Sequence, residues 1–148
     1  MRAGLAAFAV ILAATTAHAG ELRGRVVAVA DGDTLTILDA SRQQHRIRLA
    51  EIDAPEKRQP FGQRSKQSLS DLCYGRDAAI ENDGRDPNGR TIGHDTNAEQ
   101  VRRGMAWVFD RYATERSLYA IQDEARAARR GLWSDPAPVP PWEYRAKR

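Results

Sequence analysis

The sequence has little cysteine, little histidine and no apolar stretch long enough to cross a membrane. Cys73 is the single cysteine among 148 residues, which excludes a framework of internal disulfides. Beyond the N-terminal segment, His45 and His94 are the only histidines, and they do not have the spacing of zinc ligands. One domain of this length must therefore be held together by its apolar core, with or without the help of a bound ion.

An excess of one charge sign is also lacking. Lysine and arginine total 23 against 20 aspartates and glutamates, which gives a formal net charge of +3. A balance this mildly basic does not by itself predict a nucleic-acid partner. Among the basic residues only Lys57, Lys66 and Lys147 are lysine. Arginine suits bidentate contacts with phosphate, although a bias in genomic base composition gives the same preference.

The N-terminal segment, residues 1–19, has the layout of a secretory signal peptide. Arg2 precedes an apolar run that ends in Ala17-His18-Ala19, the pattern of a cleavage site. We expect cleavage after Ala19 and export to the periplasm or the medium. We expect no stable membrane association afterwards, because the run is too short to span a bilayer. The alternative is an amphipathic or buried N-terminal helix.

The next part of the chain has the pattern of a β-meander. Apolar or alternating segments predict strands at residues 25–29, 34–38 and 46–49. The turn before the second strand contains Asp31-Gly32, and the glycine is expected to supply a positive φ. Later patterns predict a helix at 63–72, a second helix that is capped at Asn97 and runs through Val101 to about Val108, and a third at 117–130. They also predict a strand at 78–81, a loop at 82–89 and an extended Pro-rich stretch at 136–141. This order predicts an α+β domain, residues 20–135, followed by a tail, 136–148.

Three acidic residues, Asp33, Asp53 and Glu56, lie at the ends of predicted strands or just beyond them. Pro55 restricts Ala54 to an extended backbone, which orients the Ala54 carbonyl as a further candidate ligand. Two carboxylates, a carbonyl and waters make an oxygen site suited to Ca²⁺ or a similar ion. Taken singly, an Asp-Gly-Asp turn and an aspartate before Ala-Pro are more often structural.

Arg48 is a candidate partner for these acids, but its spacing does not settle its position. Arg48 and Asp53 are five positions apart, so a regular strand places them on opposite faces. The two side chains converge only if the chain bends near Glu51-Ile52. Without that bend, Arg48 is an ordinary solvated surface residue.

Three charged segments occur in order along the chain, namely AVADGDTLTI, IRLAEIDAPE and DPNGR. NAEQVRRGMAWV and ARRGLWS follow them. In this order and at roughly this spacing, the sequence resembles the staphylococcal nuclease (thermonuclease) family over nearly all of the chain after residue 19. The resemblance implies a five-stranded OB-type β-barrel packed with about three α-helices, and a calcium-dependent phosphodiester hydrolase.

The resemblance also implies a role for each matching acidic residue. Asp33, Asp53 and the main-chain carbonyl of Ala54 would bind the metal, which we expect to be Ca²⁺ or another divalent ion. Asp31 would support these ligands from behind. Glu56 would be the general base or would position the attacking water.

The remaining roles fall on two arginines and one aromatic residue. By the same resemblance, Arg48 and Arg90 would bind the scissile phosphate, and Tyr112 would lie against the base or sugar of the substrate. The match departs beside Arg90, because only TIGHDT separates it from Asn97, where the family has a longer β-hairpin. We predict either a hairpin reduced to a tight loop or a barrel open on that side.

The leading prediction is an exported, monomeric endonuclease that acts on DNA, RNA or both with little sequence preference. The alternative is a catalytically impaired OB-fold module that binds nucleic acid or a protein partner. Pro87, Asn88 and Asp110 favour the alternative, because the family commonly has basic or aromatic residues at these positions. The retained carboxylates and Arg48 oppose it, because a module that only binds does not need them.

Overall fold

The computed structural model describes residues 20–85, 91–94 and 96–148. The predicted signal segment, 1–19, and Arg90 lie outside these ranges. The strands are β1 (Leu22–Val29), β2 (Thr34–Leu38), β3 (Gln44–Leu49), β4 (Ile52–Asp53), β5 (Asp77–Arg85), β6 (Thr91–His94) and β7 (Trp107–Val108). The helices are α1 (Gly62–Cys73), α2 (Asn97–Arg102), α3 (Ser117–Ala127) and α4 (Pro141–Ala146), with a 3₁₀ turn at Gly131–Ser134. No helix in these ranges has the length and apolarity needed to cross a membrane.

Five of the strands close into a barrel in the order β1-β2-β3-β6-β5. The first three strands form an antiparallel meander, and β5 pairs with β1 to complete the circle. The short strand β6 lies between β3 and β5, parallel to the first and antiparallel to the second. The predicted α+β fold with a five-stranded OB-type barrel is confirmed. Of the two alternatives for the region after Arg90, the described strands fit the closed one.

The barrel interior is filled by aliphatic side chains that alternate along the strands, as the period of a strand requires. Fully buried examples are Val26, Leu35, Ile37, Ile47 and Ile80. Each such side chain contributes roughly 1.5–3 kcal/mol relative to an exposed position. The helices close the open ends of this core with Leu69, Val101 and Leu118. The core therefore fixes the strand ends on which the charged residues stand.

Three predicted elements are wrong at their boundaries. The helix predicted from the Asn97 cap to about Val108 ends at Arg102, because Gly104 has φ +67° and its α-carbon lies against the Arg130 carbonyl, where a Cβ would come within 2.1 Å. Trp107–Val108 instead pairs with β4. The helix predicted at 117–130 ends at Ala127. Residues 82–85, predicted to be loop, belong to β5, because pairing with β6 overrides their polar composition.

The C-terminal stretch also departs from its prediction in part. Residues 136–140 are not helical, as expected, but Pro141 begins helix α4. Proline is favoured at the first position of a helix, because its φ is already helical and its missing N–H has no intrahelical partner there. Trp142 of this helix stacks on Phe109, with ring centroids 5.4 Å apart and planes 8° apart. The tail is thus packed on the domain and does not extend away from it.

Candidate active site

Asp33 lies in the turn between β1 and β2, which is packed tightly against two helices. A Cβ on Gly32 would meet the Ser65 Oγ of α1 at 1.8 Å, so the contact excludes any larger residue. Gly32 does not have a positive φ, and the reason predicted for this glycine is wrong. The amide of Gln100 donates to the Gly32 carbonyl at 2.7 Å, and Asp31 accepts from the Asp33 N–H at 3.1 Å. The packing of this turn against α1 and α2, together with the hydrogen bond to Asp31, therefore sets the orientation of Asp33.

Arg48 and Asp53 come together because the chain turns sharply between β3 and β4. Glu51 has φ +63°, a left-handed conformation that bends the strand at the point the spacing required. Its carboxylate accepts hydrogen bonds from Thr114 N–H, from Thr114 Oγ1 at 2.8 Å and from Glu115 N–H at 2.7 Å. These distant partners hold the bend, because glutamate itself does not favour this conformation.

The bend directs Arg48 inward, where its guanidinium is held by backbone and carboxylate oxygens. It donates to the carbonyls of Leu49 at 2.7 Å and Ile52 at 2.9 Å. The same group lies 3.3 Å from Asp33 and 3.5 Å from Asp53. Arg48 is only 16% exposed, so it is not the solvated surface residue of the alternative interpretation.

Glu56 is positioned by the compact loop between β4 and α1. Its N–H donates to Gln59 Oε1 at 3.1 Å, and its carbonyl accepts from the Gln59 N–H at 2.8 Å. Gly62 closes the loop so tightly that a Cβ there would lie 2.0 Å from the Glu56 carbonyl oxygen. The Glu56 carboxylate is partly exposed and faces the same space as Asp53.

Arg145 completes the site, and sequence reasoning missed it. Its guanidinium contacts both oxygens of Asp53, at 2.7 and 3.2 Å, and the Glu56 carboxylate at 2.8 Å. The two carboxylates raise the pKa of this arginine further above its ordinary value, chiefly through the hydrogen bonds to Asp53. The one signal in the sequence was Pro141, a helix start that places Arg145 on a helix instead of in an extended tail.

These residues line one concave pocket, which we call the carboxylate pocket. Its lining consists of Asp31, Asp33, Arg48, Asp53, Ala54, Pro55, Glu56 and Arg145. Burial raises the pKa of Asp33 to about 7, against the opposing attraction of Arg48. Two nearby carboxylates, Asp31 and Asp53, contribute to this increase in the pKa. The pocket therefore contains a carboxylate that an additional positive charge would stabilise in its ionised form.

The donors of the carboxylate pocket fit a hard divalent cation. They are oxygens, and the guanidinium of Arg145 already lies between Asp53 and Glu56 as a stand-in cation. Within the described residues, no three acidic, histidine or cysteine side chains converge closely enough to bind an ion by themselves. Asp33 and Asp53 would therefore need the Ala54 carbonyl and water to complete the coordination, as the sequence predicts.

One predicted substrate-binding residue, Tyr112, does not lie in this pocket, and no placement is described for the other, Arg90. Tyr112 is 59% exposed and does not line it. It makes an edge contact with Phe109, at 5.1 Å between ring centroids, and Phe109 in turn stacks on Trp142. Arg90 lies outside the described residues. Asp110 accepts a hydrogen bond from the Tyr119 hydroxyl at 2.9 Å, so it has a structural partner.

Comparison with known proteins identifies the family of this chain. The family model described as "Staphylococcal nuclease homologue" matches residues 46–135. A protein of Escherichia coli O157:H7 described as an uncharacterized endonuclease is 43% identical over 135 residues, which cover 86% of this chain and 88% of the relative. A micrococcal nuclease of Shigella flexneri is 38% identical over 167 residues, which cover 98% of this chain and 95% of the relative. With a family match over more than half of its length and relatives that align along most of it, the chain belongs to the staphylococcal nuclease family.

Proposed function

We propose that this protein is an exported, calcium-dependent nuclease that hydrolyses phosphodiester bonds of DNA, RNA or both. One observation carries the proposal: Arg48 faces Asp33 and Asp53 at 3.3 and 3.5 Å, with Glu56 on the rim of the same pocket. A phosphate-binding cation, two metal-binding carboxylates and a base are the parts that hydrolysis of a phosphodiester needs. The nuclease names of the relatives support the same reaction.

In this proposal each residue acts on the substrate or on its water. Asp33, Asp53 and the Ala54 carbonyl hold the ion, which when bound polarises a phosphoryl oxygen and orients water. Glu56 accepts the proton of the attacking water. Arg48 donates to an equatorial phosphoryl oxygen and stabilises the negative charge that develops there. The protein reads the backbone and not the base edges, so sequence preference is weak.

The test is hydrolysis by the purified protein of single-stranded DNA, duplex DNA and RNA, in calcium and in chelator. We expect activity in calcium only. Glu56→Gln should lower the rate about 10²- to 10⁴-fold, because it removes the base. Arg48→Ala should lower it about 10²- to 10³-fold, because it removes a donor to the phosphate. Full activity in both variants would overturn the assigned roles.

Two matched controls separate the chemistry from general damage to the fold. Arg46→Ala removes an exposed arginine from the same strand as Arg48, two residues away. Glu143→Gln makes the same chemical change as Glu56→Gln at an exposed position of α4. Both controls should keep the activity and the circular dichroism spectrum of the parent protein.

A second candidate function is a module that binds single-stranded nucleic acid without cutting it. The contact of Arg145 with Asp53 and Glu56 favours it, because this arginine takes up the carboxylates that the ion and the water need. The same assay decides between the two functions. Retention of a labelled strand without any hydrolysis in calcium would support the binding module and contradict the nuclease.

Export is the part of the proposal that rests on the N-terminal segment alone. Arg2, the apolar run and Ala17-His18-Ala19 support it. The mass of the protein recovered from the periplasm or the medium is the direct test. We expect a chain that begins at Gly20, and a chain that keeps residues 1–19 would contradict export by cleavage.

A further inference from the structure

The guanidinium of Arg145 lies between Asp53 and Glu56 in the lining of the carboxylate pocket. It reaches across 92 and 89 positions of sequence to make these contacts. Its nitrogens lie 2.7 Å from Asp53 Oδ2 and 2.8 Å from Glu56 Oε1. The family match ends at residue 135, so this arginine lies beyond it.

The tail that carries Arg145 is anchored at several points, so its position is built into the fold. Trp142 stacks on Phe109 and makes an edge contact with Trp107, at 5.8 Å between centroids. The buried side chain of Gln59 donates to the Val139 carbonyl at 2.5 Å. The same Gln59 accepts from the Glu56 N–H, so one side chain holds both the loop of Glu56 and the tail. The backbone that carries Arg145 is therefore held close to the loop of Glu56, while the guanidinium itself is held only by its carboxylate partners among the described residues.

The two arginines of the pocket differ in the partners that they would keep once a divalent ion binds. Arg48 donates to the carbonyls of Leu49 and Ile52, which an ion on the carboxylates does not remove. Arg145 donates only to the side chains of Asp53 and Glu56 in the contacts that the structure describes. An ion bound to Asp53 would take those oxygens and leave the fork of Arg145 with unused donors. At 43% exposure, that fork can turn to an anion that enters from solvent.

The charge of the described pocket lining favours a second cation. Among the described residues, four carboxylates, Asp31, Asp33, Asp53 and Glu56, stand against two guanidiniums, a formal charge of −4 + 2 = −2. A divalent ion brings the sum to zero when both arginines are present. Without Arg145 the sum with the ion is −1, and a phosphodiester anion would approach a site of its own sign. With Arg145 present, the pocket that holds a divalent ion has a formal charge of zero and does not repel the phosphate anion of the substrate.

We infer that Arg145 is a substrate-binding residue of this site: it holds Asp53 and Glu56 until a divalent ion takes Asp53, and it then binds the phosphate of the substrate opposite Arg48. The inference rests on the proposed nuclease function. The ligand is a phosphodiester of a nucleic-acid strand. The tail, residues 136–148, is consequently part of the active site.

The experiment compares Arg145→Gln and Arg145→Lys with Lys147→Gln, which removes one positive charge from an exposed position beside the same helix. The first readout is calcium binding by calorimetry, with calcium chloride alone and no nucleic acid. We expect Arg145→Gln to bind calcium more tightly than the parent, because the competing cation is gone from Asp53. We expect Lys147→Gln to bind it as the parent does.

The second readout is kcat/KM for a single-stranded DNA oligonucleotide at saturating calcium. We expect a loss of about 100-fold in Arg145→Gln, the size expected for removing one donor to a developing anion. Arg145→Lys should recover part of the loss, because it keeps the charge but not the fork. Lys147→Gln should be unchanged. Tighter calcium binding with unchanged kcat/KM would show that Arg145 is a structural ion pair and would overturn the inference.

Other results would contradict either the inference about Arg145 or the proposed nuclease function. If the parent cuts DNA in calcium and both Arg145 variants match it, the inference fails and the proposed function stands. If Arg145→Gln raises kcat/KM, the tail inhibits the site and the inference fails. If the parent does not cut in calcium, the proposed function fails and the inference fails with it. If Arg145→Gln does not fold, Arg145→Lys against Lys147→Gln decides, since Arg145→Lys keeps the pairing charge.

Discussion

Arg48 and Arg145 both contact Asp53, but the regions that carry them are held in place by different forces. Arg48 sits at the bend between β3 and β4, with backbone carbonyls as partners and 16% exposure. Arg145 lies on a short helix whose Trp142 stacks on Phe109, and its partners among the described residues are the carboxylates of Asp53 and Glu56. The backbone of the barrel therefore holds Arg48 in place, whereas Arg145 is held by its ion pairs and by a few contacts of the tail. Four predictions test this difference, beginning with the largest expected effect.

The buried side of the pocket should show the largest effect, as a dependence of stability on pH. The pKa of Asp33 is raised from 3.8 to about 7, so between these values the folded state binds more protons than the unfolded state. The free energy of unfolding without metal should then fall as the pH rises through this window. Asp33→Asn removes the titrating carboxyl group. The free energy of unfolding of the variant minus that of the parent should therefore increase by on the order of 3 kcal/mol from pH 5 to pH 8.

Urea unfolding in chelator at the two pH values measures this difference. Saturating calcium should reduce it at pH 8, because an ion on Asp33 stabilises the ionised parent and not the variant to the same extent. A difference that does not change with pH would show that burial does not control Asp33. In that case the buried and the exposed residues of the pocket would not differ in how burial affects them.

The second prediction compares the two arginines directly. Arg48→Ala leaves Asp33 and Asp53 without their buried cation and should cost about 2.5 kcal/mol of stability at pH 8 in chelator. Arg145→Ala removes a guanidinium that is 43% exposed, and Asp53 keeps its contact with Arg48, so the loss should be smaller, about 1 kcal/mol. Urea unfolding of the two variants, with Arg46→Ala as the exposed control on β3, gives the comparison. Equal losses of stability in the two variants would show that the two arginines are held in place in the same way.

The third prediction concerns the bend that directs Arg48. Glu51→Ala removes the acceptor for Thr114 and Glu115 and should cost about 2 kcal/mol. Glu51→Gln keeps the shape and one acceptor oxygen, so its loss should be smaller. The rate of hydrolysis at saturating calcium should also fall in Glu51→Ala, because the bend that brings Arg48 and Asp53 together is no longer held. Unchanged stability and activity would mean that the bend is held by the flanking strands alone.

The smallest effect on global stability is expected for the anchor of the tail. Trp142→Ala removes the stack on Phe109, and the tail can then open without the barrel. Urea unfolding should change by less than about 0.5 kcal/mol, as for positions outside the cooperative core. Hydrogen exchange should become faster at the amides of Glu143 and Tyr144, which bond to Pro140, and stay unchanged in β2. Faster exchange throughout the barrel would show that the tail and barrel unfold together.

Much of the barrel could be predicted from sequence, because its signals are local. Leu35 and Ile37 alternate with polar residues along β2, and Asp33 and Asp53 stand where strands begin and end. The convergence of Arg48 with Asp53 could be stated only as a condition. The condition is met at Glu51, whose left-handed backbone has no signal in its own residue type and depends on partners more than sixty positions away.

The part of the site that could not be predicted has the longest sequence separation. Arg145 lies in a stretch whose prolines indicated an extended tail, and its partners are 89 and 92 positions earlier. Nothing near Arg145 in the sequence indicates an acidic partner. Spacing within one segment can locate a charged residue on a strand, but it cannot show which distant segment folds back over it. The same limit applies to Gln59, which joins the Glu56 loop to Val139.

The separation of Asp53 from Arg145 has a kinetic consequence. Contacts between distant segments form late in folding, because the entropy of the intervening chain must be lost before they stabilise the protein. The strands β1, β2 and β3 are local to one another and can pair first, which brings Asp33 and Arg48 to neighbouring strand ends. Asp53 joins them only when the bend at Glu51 gains its partners, which lie more than sixty positions later, and β4 pairs with β7. Docking of the C-terminal helix spans a still longer separation, so Arg145 is the cation that reaches the pocket last.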